Sequence, residues 1–178
     1  MRTAAAGVYV PSCEIAHAGH ELTQIIARSK ASREHDSVLA RLLAASAMRH
    51  FPQFRPDLVV SLPPKPGEED RFRNIRRELA AQLGAGDSPR ALRLARVTRD
   101  YRRMSDAQRR AVAQGLYVAG GAVRAKSVLL IDDVVTSGAQ AGDAIRALVA
   151  AGAVEVRFAC VARTIGPRER PRSTSWSP

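Results

Sequence analysis

Aromatic side chains are scarce in this chain of 178 residues, at 4% of positions against 46% hydrophobic overall. Ala, Val and Leu must therefore do most of the core packing, and an aromatic platform for stacking single-stranded bases is disfavoured. Cysteine is almost missing. Cys13 and Cys160 stand far apart, which argues against a disulfide framework and fits a reducing, cytoplasmic setting. No apolar run approaches the roughly 20 residues that span a bilayer, so no membrane association is expected. The first residues, MRTAAAGVYVPSCEIAHAGH, show neither the apolar core nor the cleavage pattern of a signal peptide. Two phosphate-binding loops are absent as well. The chain has no G-x-x-x-x-G-K-[ST] and no G-x-G-x-x-G, which removes the first kind of nucleotide site and weakens the second. Lysine is rare: 25 of the 28 basic residues are Arg.

What is present begins with length, enough for one domain with a proper core. The net charge is +11, and residues 71–110 carry 12 Arg against Glu78, Asp87, Asp100 and Asp106. A field of that sign attracts polyanions, nucleic acid among them.

The most informative stretch is Ser127 to Ala150, SVLLIDDVVTSGAQAGDAIRALVA. Val128 to Ile131 form a short bounded apolar run, as a strand buried in a parallel sheet does. Asp132 and Asp133 follow, then Val134 and Val135, then a small polar turn of Thr136, Ser137 and Gly138. From Ala139 to Ala150 the apolar residues Ala141, Ala144, Ile145, Leu148 and Val149 recur at helical spacing. Strand, turn and helix in that order place unpartnered N–H groups and the positive end of a helix dipole at the turn, a seat for phosphate. The carboxylates beside it suit sugar hydroxyls or a hard cation such as Mg²⁺. The bland alternative is a buried strand followed by a solvated acidic turn.

VLLIDDVVTSGA resembles the phosphoribosyl pyrophosphate (PRPP) binding motif of type I phosphoribosyltransferases: apolar residues, two acids, two further positions, Thr, Thr or Ser, Gly, and a small residue. One departure is Gln140, where many members carry Thr or Ser. The resemblance implies an α/β fold with a mainly parallel sheet flanked by helices, and a small N-terminal hood. It implies that Thr136, Ser137, Gly138 and Ala139 bind the 5-phosphate, with Val134, Val135 and Gln140 also among the PRPP-binding residues. Asp132 and Asp133 would hold the ribose hydroxyls and Mg²⁺, directly or through water.

The rest of the chain alternates strands and helices, which independently supports α/β. Residues 1–20 are ambiguous, with Val8–Val10 a candidate short strand. Cys13, His17 and His20 are too irregularly spaced to make a convincing zinc site. Helices are expected at 21–31 and 36–50, with Lys30 a C-terminal cation on the first. A short strand, 57–62, runs into the stiff loop Pro63-Pro64-Lys65-Pro66-Gly67. A rigid loop at the carboxyl end of a parallel strand is where open α/β sheets bind ligands, and Lys65, with backbone around Pro64, is the candidate partner for pyrophosphate. A helix over 68–83, a half-exposed strand over 91–97 and an Arg-rich loop over 98–104 follow. A capping box at Ser105–Gln108 starts a helix to about Gln114, and 116–118 and 154–162 read as strands. Arg102 and Arg103 are candidates to close over the site. Residues 1–165 read as one domain, with 1–56 its hood and N-terminal helices, and 166–178 as a disordered tail.

LVVSLPPKPGEEDRFRNIRRELAAQLG, LARVTRDYRRMSDAQRRAV and ELTQIIARSKA are similar in layout to segments of ComF-like phosphoribosyltransferases, without that group's four-Cys zinc module. Arg71 and Asn74 stand at the Arg and Asn of its pattern, and Arg109 and Arg110 near its basic pair. Two functions follow from the resemblance. One is an enzyme that transfers phosphoribose between Mg-PRPP and a nucleobase-like acceptor, with pyrophosphate as co-product. The other is a non-catalytic protein that senses PRPP or a nucleotide, or binds nucleic acid during DNA uptake through its Arg-rich surface. A homodimer is also implied.

Overall fold

In strand β6, Ser127–Val135, side chains alternate between two buried faces. Leu129 and Ile131 enter one hydrophobic cluster, Val128 and Leu130 the other, as the two-residue period of a strand requires. The rest of the fold is arranged about this strand in a computed structural model, which describes residues 3–10, 19–96 and 105–164, with the side chains of Asp106 and Arg110 outside the description.

The described elements run β1 (Thr3–Tyr9), α1 (Glu21–Ser32), α2 (Asp36–His50), β2 (Leu58–Ser61), α3 (Arg73–Leu83), β3 (Gly86–Asp87), β4 (Leu92–Leu94), α4 (Asp106–Ala113), β5 (Tyr117–Ala119), β6, α5 (Ala139–Ala150) and β7 (Glu155–Thr164). Five strands make one sheet in the order β1-β7-β6-β2-β3, with every pair parallel. β4 and β5 form a separate antiparallel ribbon. The expected α/β architecture with a mainly parallel sheet is therefore present.

Helices α1, α2 and α3 cover one face, burying Ile26, Leu39, Leu43, Ile75 and Leu79 against Val59, Leu129 and Ile131. On the other, α5 and the β4–β5 ribbon bury Ala144, Leu148, Leu92 and Tyr117 against Val60, Val128, Leu130 and Phe158. Asp143 fastens that ribbon to α5. Its buried carboxylate accepts the Gly115 and Tyr117 N–H groups at 2.8 and 2.9 Å. Of the segment 1–56, β1 is the sheet edge beside β7, while α1 and α2 lie on the first face. A Cβ at Gly7 would sit 2.5 Å from Leu22 Cδ2 on α1, so a side chain there would require Leu22 to move.

Three expected boundaries are corrected. The strand expected at 128–131 continues through both carboxylates to Val135, because β7 goes on pairing with it as far as Arg163. The helix expected over 68–83 starts only at Arg73. Its acidic lead-in forms a turn instead, in which Asp70 accepts the Phe72 N–H. The strand expected over 91–97 is the three-residue β4, paired with β5 and not with the main sheet. The loop 98–104, including Arg102 and Arg103, and the expected tail 166–178 lie outside the described residues. So do Cys13 and His17.

The topology marks one place for a ligand. β2 and β6 are neighbours, but the chain leaves β2 toward β3 on one side and β6 toward β7 on the other. Loops at the carboxyl ends of two such strands part and leave a crevice. β2 also stops at Ser61, opposite Ile131. Residues 132–135 of β6 thus project beyond it.

Candidate functional site

The crevice is a cleft of about 870 Å³, within the range of small-molecule sites. One wall is the end of β6 and the turn into α5. Gly138 turns the chain at φ 69° as the N-terminal cap residue of α5, a conformation that suits a residue without Cβ. The Ser137 Oγ accepts the Ala139 N–H at 3.4 Å. The first amides of α5 have no partners within the helix itself, and they open toward the cleft that Thr136, Ser137, Gly138, Ala139 and Gln140 line.

The carboxylates are divided by strand alternation. Asp133 follows Leu129 and Ile131 toward α1 and α3, and there it meets two cations. Arg71 donates to both its oxygens, at 2.5 and 2.9 Å, and Lys30 Nζ lies 2.6 Å from Oδ2. Asp133 also accepts the Val134 N–H on Oδ1 at 2.7 Å. Burial would push this carboxyl up. The hydrogen bonds and charge of Arg71, then of Lys30, overcome that and hold it well below the usual carboxylate range. Asp132 goes the other way: burial first, and the charge of Asp133 second, push it well up, against the pull of Arg71 at 3.7 Å. The pair therefore presents one firm anion and one carboxyl inclined to keep its proton. Cys160, opposite Asp132 in the β6–β7 register, is pushed up to about 12 by burial and by Asp132, so it is no nucleophile.

The other wall is the loop after β2. Pro63, Pro64 and Lys65 line the cleft. Lys65 is exposed and has no ion pair among the described residues. The loop is held at both ends by Arg76, which is 1% exposed. Its guanidinium donates to Ser61 Oγ at 2.8 Å, to Asp70 at 3.0 Å, and to Asp87. Every candidate from Asp132 to Gln140, with Pro64 and Lys65, lines this one cleft.

Two residues were not singled out for the site from their local pattern. Lys30 reads as an ordinary cation at a helix end, and Arg71 as one basic residue after an acidic run; no local signal connects either with Asp133. The ComF-like layout was the hint, with Arg71 at its Arg and Lys30 as the lysine of its N-terminal helix element. Asn74, the companion of Arg71 there, donates to Asp36 at 3.1 Å and ties α3 to α2. His20 is accounted for as the N-terminal cap of α1, its Nδ1 accepting the Thr23 N–H.

The donor set does not fit a resident metal ion. Among the described residues no three of His, Cys, Asp and Glu converge, and both oxygens of Asp133 are already taken by cations and an amide.

Replacing Asp133 by Asn should cost about 1–3 kcal/mol at neutral pH, since the partners lose a charged acceptor. Lys30 and Arg71, 42% and 39% exposed in their side chains, can turn partly to water, which limits the loss. Because folding lowers this carboxyl, its contribution is complete above about pH 4, the unfolded value, and drains away as pH falls further. Urea denaturation at pH 7 and pH 3 should show the gap between wild type and variant closing at the lower pH.

No protein-family model and no curated protein matches the chain. Solved structures do resemble it. One is the glutamine PRPP amidotransferase of B. subtilis, 22% identical over 70% of this chain, with TM-score 0.47. Another, the allosteric regulatory enzyme of purine biosynthesis, is 22% identical over 71% of this chain, also with TM-score 0.47. In both, this chain covers 25% of the other's length. The purine phosphoribosyltransferase of Pyrococcus horikoshii is 14% identical, over 94% of this chain and 96% of that one, with TM-score 0.44. At such identities and TM-scores, none of these likenesses assigns a family or an activity. No helix of the described residues is long and apolar enough to cross a membrane.

Proposed function

We propose that this chain binds PRPP and transfers its phosphoribosyl group to or from a nucleobase-like acceptor, with pyrophosphate as co-product. The observation that carries the reading is one cleft, at the crossover of β2 and β6, lined together by a helix-terminal turn, a carboxylate pair and a lysine-bearing loop. Each suits one part of the ligand. The amides of α5 with Thr136 and Ser137 take the 5-phosphate. Asp133 and Asp132 take the ribose hydroxyls. Lys65 meets the pyrophosphate, and its charge steadies the leaving anion. A transition state of carbocation character asks little covalent help of the protein, so positioning and electrostatics suffice. Mg²⁺ enters as a counter-ion of the pyrophosphate, part of the substrate and not a resident of the protein.

The nucleic-acid alternative finds less support. Arg71, Arg76 and Arg96, counted toward a basic face, are engaged within the fold, Arg96 with the Val112 and Gln114 carbonyls.

Calorimetric titration with Mg-PRPP tests the reading. Saturable binding, followed by pyrophosphate release when purine and pyrimidine bases are supplied, is the expected result. Wild-type protein that binds neither PRPP nor ribose 5-phosphate would overturn it.

A further inference from the structure

The geometry points to Lys30 and Arg71 as built-in substitutes for a divalent cation at the acid pair, so that the ribose 5-phosphate half of the ligand is recognised without metal. This rests on the phosphoribosyl reading of the cleft and adds to it a statement about how the site is charged.

A carboxylate offers about four acceptor positions, and those of Asp133 are filled. Oδ1 takes Arg71 at 2.9 Å and the Val134 N–H at 2.7 Å. Oδ2 takes Arg71 at 2.5 Å and Lys30 at 2.6 Å. Asp132 spends Oδ1 on the Asp133 N–H at 2.9 Å. That leaves Asp132 alone with free acceptor positions, at the low end of the one or two carboxylates by which proteins hold Mg²⁺. The two side-chain cations already present would repel it besides.

The elements that carry them are anchored. Lys30 belongs to the last turn of α1 and Arg71 to the turn before α3. Both elements are pinned through Asp36 of α2, which accepts from Ser29 at 2.7 Å and Asn74 at 3.1 Å. The Arg71 guanidinium lies 4.7 Å from the centre of the Phe72 ring. Lys30 Nζ lies 6.0 Å from that of Tyr9. Lys30, with one contact against two for Arg71, is the partner a sugar hydroxyl displaces. Its charge stays in the cleft, within reach of the ligand's anionic groups.

The test uses ribose 5-phosphate, which has the phosphate and hydroxyls but no pyrophosphate to carry a metal. Calorimetry of the wild type should give the same dissociation constant in excess Mg²⁺ and in excess EDTA, within about twofold. In the double variant Lys30→Gln, Arg71→Gln the acid pair loses its counter-charges. Affinity in EDTA should fall by about tenfold or more, and Mg²⁺ should restore part of it. Wild-type binding seen only with Mg²⁺ would overturn the inference and leave the phosphoribosyl reading standing. A double variant that binds as the wild type does in EDTA would overturn it likewise. No binding of ribose 5-phosphate in either condition would overturn the inference, and a failure to bind Mg-PRPP as well would remove the phosphoribosyl reading itself.

Discussion

Arg76→Ala should lower stability by about 2–4 kcal/mol, the loss of a buried guanidinium with three acceptors, tempered by the water open to its carboxylate partners. In a chain of this size that moves the thermal midpoint by about 10 °C. The side chain is 1% exposed and serves Ser61, Asp70 and Asp87 at once. Truncation leaves the buried Ser61 hydroxyl without its donor and removes the shared counter-charge of two part-exposed carboxylates, which can turn to water. Lys at this position should recover less than half of the loss, because one ammonium cannot reproduce a planar fork aimed at three acceptors. Arg77, next along α3 and exposed, supplies the control, with Arg77→Ala expected within about 0.5 kcal/mol of wild type. Denaturation in urea reads all three. An Arg76→Ala protein as stable as the Arg77→Ala protein would show that the cluster does not hold the loop after β2.

Ser137→Asp should abolish ribose 5-phosphate binding while leaving the fold intact. Ser137 precedes α5, and its hydroxyl already accepts the Ala139 N–H. A carboxylate at that point is favoured by the helix dipole by about 0.3–1 kcal/mol, so the melting temperature should hold or rise. It would, however, occupy the amides that the phosphate needs. Two like charges about 4 Å apart repel by about 4 kcal/mol at an effective dielectric constant near 20. At least a 100-fold loss of affinity, about 2.7 kcal/mol, is therefore expected. Ser137→Asn has similar size and no charge, and should keep affinity within about tenfold. An Asp variant that binds as the wild type does would move the phosphate away from this turn.

Much of the site was legible because its parts are contiguous. From Val128 to Ala150 the apolar run, the acids, the turn and the helical spacing succeed one another, and each is a local signal. Beyond that stretch legibility faded for physical reasons. The acids read as the end of a strand because charge within a strand usually signals exposure. Here β2 stops short, and β7 alone carries β6 on to Val135. Glu68 to Asp70 read as the acidic first turn of a helix, but Asp70 is spent on the Phe72 N–H and on Arg76, and the helix waits until Arg73. Lys30 and Arg71 reach Asp133 from distant parts of the chain, and a pairing made by tertiary folding leaves no periodicity to read. Arg71 was visible only through the ComF-like layout, Lys30 through the helix-and-lysine element of the same layout and as a helix-end charge.

The overreach of β6 past β2 has one more consequence. A strand that outruns its neighbour carries an open edge into the middle of a sheet, where another extended peptide could add itself. Successive amides of a strand point to opposite edges, so one of the Asp133 and Val134 N–H groups faces this one, and both are taken by the carboxylates of Asp132 and Asp133. The acids that line the cleft thus also blunt a surface prone to self-association, and any sequence change that removes them gives up protection against strand pairing together with the ligand's footing.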